Sequence, residues 1–239
     1  YFMTTLQGLI RRGIINTNVQ FERLGYISNN IGNLNTNAYK QVRFEQILDE
    51  NGYLDGEVRY DYSQGSFMRT ERPLDVCLTG PGFIPVTSPN GDVQYTRDGS
   101  FKLDKDGYIV TNDGYLVGDG IKVPVNHEGL RIKKDGTVMI IQKGHTEYQT
   151  LGKNPVVQFQ NPEGLKSAEY NKVVPTAESG EPQLIKEHDY VAQGGLERSN
   201  ANYIANVNEV LRLNSSMIAG TRLMKVVDDM YQRSINLTQ

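Results

Sequence analysis

The chain has 239 residues and a formal charge of −3, from 25 basic and 28 acidic side chains. That length can bury a real core, and the scattered basic residues exclude the electrostatic footprint of a nucleic-acid binder. No run approaches the roughly 18 consecutive apolar residues of a membrane span, and YFMTTLQGLIRRG sets its arginines after its apolar residues, unlike a cleaved signal peptide.

From Met3 to Leu34 the apolar residues recur at helical spacing. Met3, Ile10, Leu24 and Ile31 share one seven-residue register, Ile14 and Phe21 a second, and no proline intervenes. This predicts a long helix with an apolar seam. Five Asn between 29 and 37 favour caps and turns over helix interior, so the helix is expected to stop there. QVRFEQILDE (41–50) then reads as a shorter second helix.

The middle of the chain changes to period two and turn chemistry. DGSFKLDKDGYIVTNDGYLVGDG (98–120) carries Asp-Gly four times, and Asn90-Gly91 and Asp135-Gly136 extend the series. Such pairs between short runs of Val, Ile, Tyr and Phe signal hairpins, because Gly accepts positive φ without steric cost. A calcium loop fits less well: with Gly107 at its sixth position, Lys102 falls at the first and Asp113 at the twelfth, where Glu is needed. His127, His145 and His188 are isolated, with no metal-ligand partner at i+3 or i+4. No catalytic, cofactor-binding or metal site emerges, and none is expected. Cys77, the single cysteine, lies in an apolar run with Leu74, Val76 and Leu78 and reads as a small buried hydrophobe.

At the C-terminal end Tyr203, Val210, Met217, Met224 and Tyr231 fall seven apart, with Ile204, Leu211 and Ile218 beside them, and Ser199 or Asn200 is placed to cap the helix. The expected class is therefore α+β, with long N- and C-terminal coiled-coil-like helices flanking a mostly antiparallel β domain rich in hairpins. Residues 1–40 and 196–239 are assigned to a discontinuous helical assembly domain, 41–62 to a connector and 63–195 to a β-rich outer domain.

SNNIGNLNTNAYK (28–40) resembles the N-terminal motif of the bacterial flagellar axial proteins, the rod and hook group, with Asn29, Asn30, Asn33, Thr36, Tyr39 and Lys40 matching and Ala38 standing where the motif has Gly. SQGSFMRTERPLDVCLTGPGFIPV (63–86), YTRDGSFKLDKDGYIVTNDGYLVG (95–118) and LERSNAN (196–202) are similar to further motifs of that family. The Arg-containing motif expected before DDM (228–230) is absent, and Ser215, Met217, Ile218 and Gly220 occupy that stretch. The short segment between Lys40 and Ser63 resembles the proximal-rod type more than the distal-rod type.

The resemblance implies a non-enzymatic structural subunit of the flagellar basal-body rod, the drive shaft that carries torque from motor to hook. Its implied partners are other copies of itself, other rod proteins, the flagellar export apparatus and the ring proteins around the rod. It also implies export to the periplasm without a cleaved signal peptide. Met3, Ile10, Phe21, Leu24, Ile31, Val210, Met217, Met224 and Tyr231 are the expected subunit-assembly residues, and the matching Asn, Thr, Tyr and Lys residues of 29–40 fix the turn out of the helix. The alternative is a cell-envelope binding or adaptor module, whose β domain could offer Tyr62, Tyr95, Tyr108 and Tyr115 as stacking rings.

Overall fold

The computed structural model describes residues 6–48, 50 and 54–236. The chain divides into two compact units, the first from Tyr1–Leu34, Gln41–Asp61 and Ala201–Gln239, the second from Asn35–Lys40 and Tyr62–Asn200.

The first unit contains α1 (Leu6–Gly32), a hairpin of β1 (Val42–Leu48) and β2 (Leu54–Tyr60), and α2 (Tyr203–Asn236). The segment expected to restart a helix at 41–50 is thus a strand. Its side chains alternate in burial from a buried Val42 onward, and an unbroken register from Val42↔Tyr60 to Leu48↔Leu54 pairs it with β2. Long-range pairing overrides local helical propensity here. Gly56 makes room for the Phe44 ring, which a Cβ would meet at 2.0 Å, and that ring stacks on Tyr26 of α1 with centroids 5.6 Å apart.

The expected coiled-coil flanks do not form. The two helices pack antiparallel, with Asn30 bonded to Asn206, Arg23 ion-paired with Glu209, and Gly13 against Met224. The face that α1 turns to α2 includes Asn16, Gln20, Arg23 and Asn30, whereas a coiled-coil seam needs apolar knobs at those positions. Several residues of the apolar heptads point outward instead: Ile14 is 53% exposed, Phe21 55%, Ile204 70% and Leu211 59%. The α2 cap also differs from expectation. Asn202 is the capping residue, its Oδ1 accepting the Ala205 N–H at 3.0 Å, while Asn200 donates its side-chain amide to the Ser63 carbonyl.

The second unit is built of short strands: β3 (Phe67–Arg69), β4 (Val76–Leu78), β5 (Ile84–Thr87), β6 (Val93–Thr96), β7 (Lys102–Leu103), β8 (Ile109–Val110), β9 (Leu116–Val117), β10 (His127–Ile132), β11 (Thr137–Gln142), β12 (Tyr148–Lys153), β13 (Val157–Gln158), β14 (Lys166–Ser167), β15 (Lys172–Val174), β16 (Gln183–Leu184), β17 (Val191–Gln193) and β18 (Gly195–Glu197). Seven form one sheet in the order β14-β15-β6-β5-β9-β8-β7, and β10, β11 and β12 form another. Late strands return to early ones, β17 to β4 and β18 to β3, all antiparallel. The main core gathers Val76, Leu78, Ile84, Val86, Phe101 and Ile109 with Val117, Val123, Val138 and Ile140. A second cluster holds Phe83, Tyr95 and Phe159, whose rings meet edge to face.

The Asp-Gly series serves turns. Gly107 sits at φ +87, and Asp104 Oδ1 accepts the N–H groups of Asp106 and Tyr108, so its carboxylate is spent on the turn. Gly99 answers a different need, since a Cβ there would meet the Val76 carbonyl at 1.8 Å. Cys77 is fully buried beside the unit's ionic cluster, and burial followed by the nearby Glu197 charge pushes its thiol up to about 11.

Candidate functional site

Two places gather the residues singled out by sequence. One is the ionic cluster of the second unit. Lys40, leaving the Asn-rich turn, sends Nζ 2.6 Å to Glu197 Oε1 on β18 and 2.7 Å to the Ser63 carbonyl. Arg97, just past β6, sends Nε 2.8 Å to Glu197 Oε2. Its other nitrogens donate to the carbonyls of Gly82, Gly80 and Leu78. The Gly65 N–H completes the carboxylate shell at 2.8 Å. Side-chain exposure is 7% for Lys40, 5% for Arg97 and 0% for Glu197. Charges this deep persist only when paired and hydrogen-bonded. One carboxylate therefore joins three distant parts of the chain.

The turn residues divide between the units. In the first, Asn33 donates its amide to the Asn29 carbonyl and Oδ1, closing the end of α1. Asn30 is buried and grips both main-chain groups of Val42. In the second, Tyr39 and Lys40 are buried, the Tyr39 N–H reaches the Thr36 carbonyl at 3.3 Å, and Asn171 donates to the Asn37 carbonyl at 2.9 Å. Ala38 adopts φ +53, the left-handed region that favours the glycine it replaces.

The second place is a cleft of about 510 Å³ in the first unit, lined by Gly13, Asn16 and Gln20 of α1, Leu54 of β2, and Met217, Leu223 and Met224 of α2. Of the expected assembly residues, Met217 and Met224 line it, Leu24, Ile31 and Val210 are half-buried, and Phe21 is exposed. Ile10 and Tyr231 lie on the helices, their side chains outside the described residues, as is the whole of Met3.

The proposed stacking tyrosines are engaged within the second unit. Tyr62 meets the Phe83 ring and Tyr95 meets Phe159, both edge to face. Tyr108 lies under Lys122 and Tyr115 under Lys172, with nitrogens 5.3 and 4.2 Å from the ring centroids. Among the described residues no group of His, Cys, Asp and Glu could hold a metal ion. No described helix is long and apolar enough to cross a membrane.

Residues 77–140 match the family model described as the flagellar hook protein FlgE/F/G D1 domain. Across most of the chain, the flagellar basal-body rod protein FlgG of Buchnera aphidicola from Schizaphis graminum is 30% identical, covering 88% of this chain and 92% of the relative. FlgG of Caulobacter vibrioides is also 30% identical at the same coverage. The chain belongs to the flagellar basal-body rod protein family. A rod protein named FlgF, from Rhizobium meliloti, is 28% identical over 85% of this chain and 86% of its own length. The relatives' names specify the rod and not a level along it.

As a member of a rod protein family, the chain is a structural subunit of the flagellar basal body, and its motifs take on a structural sense. Lys40, Arg97 and Glu197 come from three of the motif segments that carried the resemblance, and the fold brings them to one point. Arg97 and Glu197 were missed as site residues because each reads alone as a solvated charge. The signal that could have found them is their opposite sign in two of those motifs.

Proposed function

We propose that the rod subunit polymerises helically, its two terminal helices packing against those of neighbouring copies and of other rod proteins to form the drive shaft between motor and hook. The supporting observation is apolar surface left on both helices after they have paired: Ile14 and Phe21 on α1, and Leu211, Ile218, Leu223 and Val226 on α2. A row of exposed large apolar side chains marks an interaction surface. Heterologous contacts that do not close generate a filament, and many weak contacts share torque.

On this reading Met3, Ile10, Phe21, Leu24, Ile31, Val210, Met217, Met224 and Tyr231 carry assembly. The helices within 1–40 and 196–239 make the inner layer, 41–62 follows the first of them in the chain as the connecting segment, and the strands within 63–195 make the outer wall. The subunit reaches the rod across the periplasm through the flagellar export apparatus, without a cleaved signal peptide, and meets the ring proteins there. Its role involves no catalysis. A photoreactive benzophenone side chain in place of Phe21, irradiated in isolated basal bodies, tests the reading: cross-links to neighbouring subunits are expected, and a position that never cross-links in intact rods counts against a helical interface.

A further inference from the structure

The second unit begins at Asn35 and ends at Asn200, and its two ends are sewn to each other. The Ala38 N–H donates to the Glu197 carbonyl at 2.8 Å, and the Asn200 N–H to the Tyr39 carbonyl at 3.2 Å. The Arg198 N–H donates to the Ser66 carbonyl at 2.9 Å, and β18 pairs with β3 in a two-stranded sheet apart from the large one. At the centre sits Glu197 with its two cations. This base is held differently from the rest of the unit. Within 35–40 and 195–200 the buried apolar side chains are Ala38, Tyr39 and Leu196, and none belongs to either apolar cluster.

We propose that the Lys40–Glu197–Arg97 cluster is a latch at the base of the β unit, separable from its core, that fastens or frees both chain connections together. Opening the base exposes Ala38, Tyr39 and Leu196 but none of either apolar cluster, so polar contacts carry a large share of its cost. The ionic part of those contacts converges on one group. Two buried cations share the Glu197 carboxylate, and bonds from them also reach the carbonyls of Ser63, Gly82, Gly80 and Leu78. Loss of that charge takes the shared carboxylate from both cations and leaves the buried Arg97 with carbonyl partners alone.

The latch also stores strain. Ala38 at φ +53 and Glu71 at φ +62 are non-glycine residues in the left-handed region. Each is tied down at the base, Ala38 to the Glu197 carbonyl and Glu71 to that of Gly194. Such conformations persist when their surroundings over-determine them, and they collect where a segment switches between two states. The proposal stands on the second unit alone and is independent of rod assembly.

Hydrogen exchange on the full chain, read at single amides, tests it. The reporters are Ala38, Gly65, Arg198 and Asn200 at the base, with Ile109 and Val123, whose N–H groups bond the carbonyls of Ile121 and Gly107, in the core. Glu197→Gln is expected to speed exchange at the base by about a hundredfold or more, the scale for unpairing a buried charge, while the two core amides keep their wild-type rates. Lys40→Met leaves Glu197 paired with Arg97 and Gly65, and is expected to give a smaller rise confined to the same four amides. If Glu197→Gln fails to fold, Lys40→Met carries the comparison. Core and base amides accelerating by one common factor would show a single cooperative body and overturn the latch, as would base amides that do not respond.

Discussion

Asn30 holds Val42 by both of its main-chain groups, its Oδ1 accepting the N–H at 2.9 Å and its Nδ2 donating to the carbonyl at 2.8 Å. At 2% exposure, the side chain acts as a strand partner for the first residue of β1. Asn30→Ala removes both bonds and leaves two backbone groups without partners, which should cost about 2–4 kcal/mol in the first unit. Asn30→Asp keeps the acceptor, loses the donor and buries a charge, so it is expected to be no better. Chemical denaturation gives the loss, and exchange at the Val42 amide localises it to the hairpin.

Ala38 occupies a left-handed conformation at φ +53. An alanine there pays a steric cost of about 1 kcal/mol that glycine avoids, partly offset by the greater freedom glycine loses on folding. Ala38→Gly is therefore expected to stabilise the second unit by about 0.5 kcal/mol, read as a higher urea midpoint with an unchanged slope. A fall in the midpoint would mean that the buried methyl contributes more than the strain costs.

Burial holds the Asp98 carboxyl above its usual range, the nearby Asp75 adds to the effect, and bonds from Ser100 oppose it. A raised carboxyl in the folded state means that the charged form is disfavoured there. The cost is absent in acid, where both states are protonated, and appears as pH rises from the unfolded toward the folded value. Asp98→Asn keeps an acceptor for the Ser100 N–H, which now reaches Oδ1 at 3.0 Å, and removes the charge. It should stabilise the protein at about pH 7 and lose that advantage near about pH 3. Paired denaturation curves at the two pH values check the sign.

Cys77 gives a probe of the same region. A buried thiol raised to about 11 is protonated and shielded at neutral pH, and the thiolate is the reactive form. Native protein at about pH 8 should resist iodoacetamide and react readily once denaturant unfolds it. Fast alkylation of the native chain would show that β4 and β17 separate often.

The helices and the β middle were legible because their signals are local. Asp-Gly pairs such as Asp106-Gly107 place turns by themselves, and the Asn-rich end of α1 stops a helix without tertiary help. The hairpin over 42–60 was not legible, since Arg43, Glu45 and Gln46 blur its alternation and its decisive feature, Gly56 beneath Phe44, is a contact across two strands. The Asn202 cap was hidden among the neighbouring candidates of RSNAN. The heptads of α1 and α2 were real periodicities. Periodicity names a face but not its partner, and part of that apolar surface faces outward while Arg23 meets Glu209. The cluster around Glu197 joins positions 100 and 157 apart, a separation at which charge pairing leaves no local pattern.

The central claim is that the helical surfaces assemble the rod, and Met217, at the cleft of the first unit, is where to test it. The measurement is rod formation by Met217→Glu, scored by electron microscopy of basal bodies beside far-ultraviolet circular dichroism and exchange protection of the purified variant. A β unit folded as in wild type, with no rods, is the predicted result. Complete rods built from a folded Met217→Glu subunit would contradict the account.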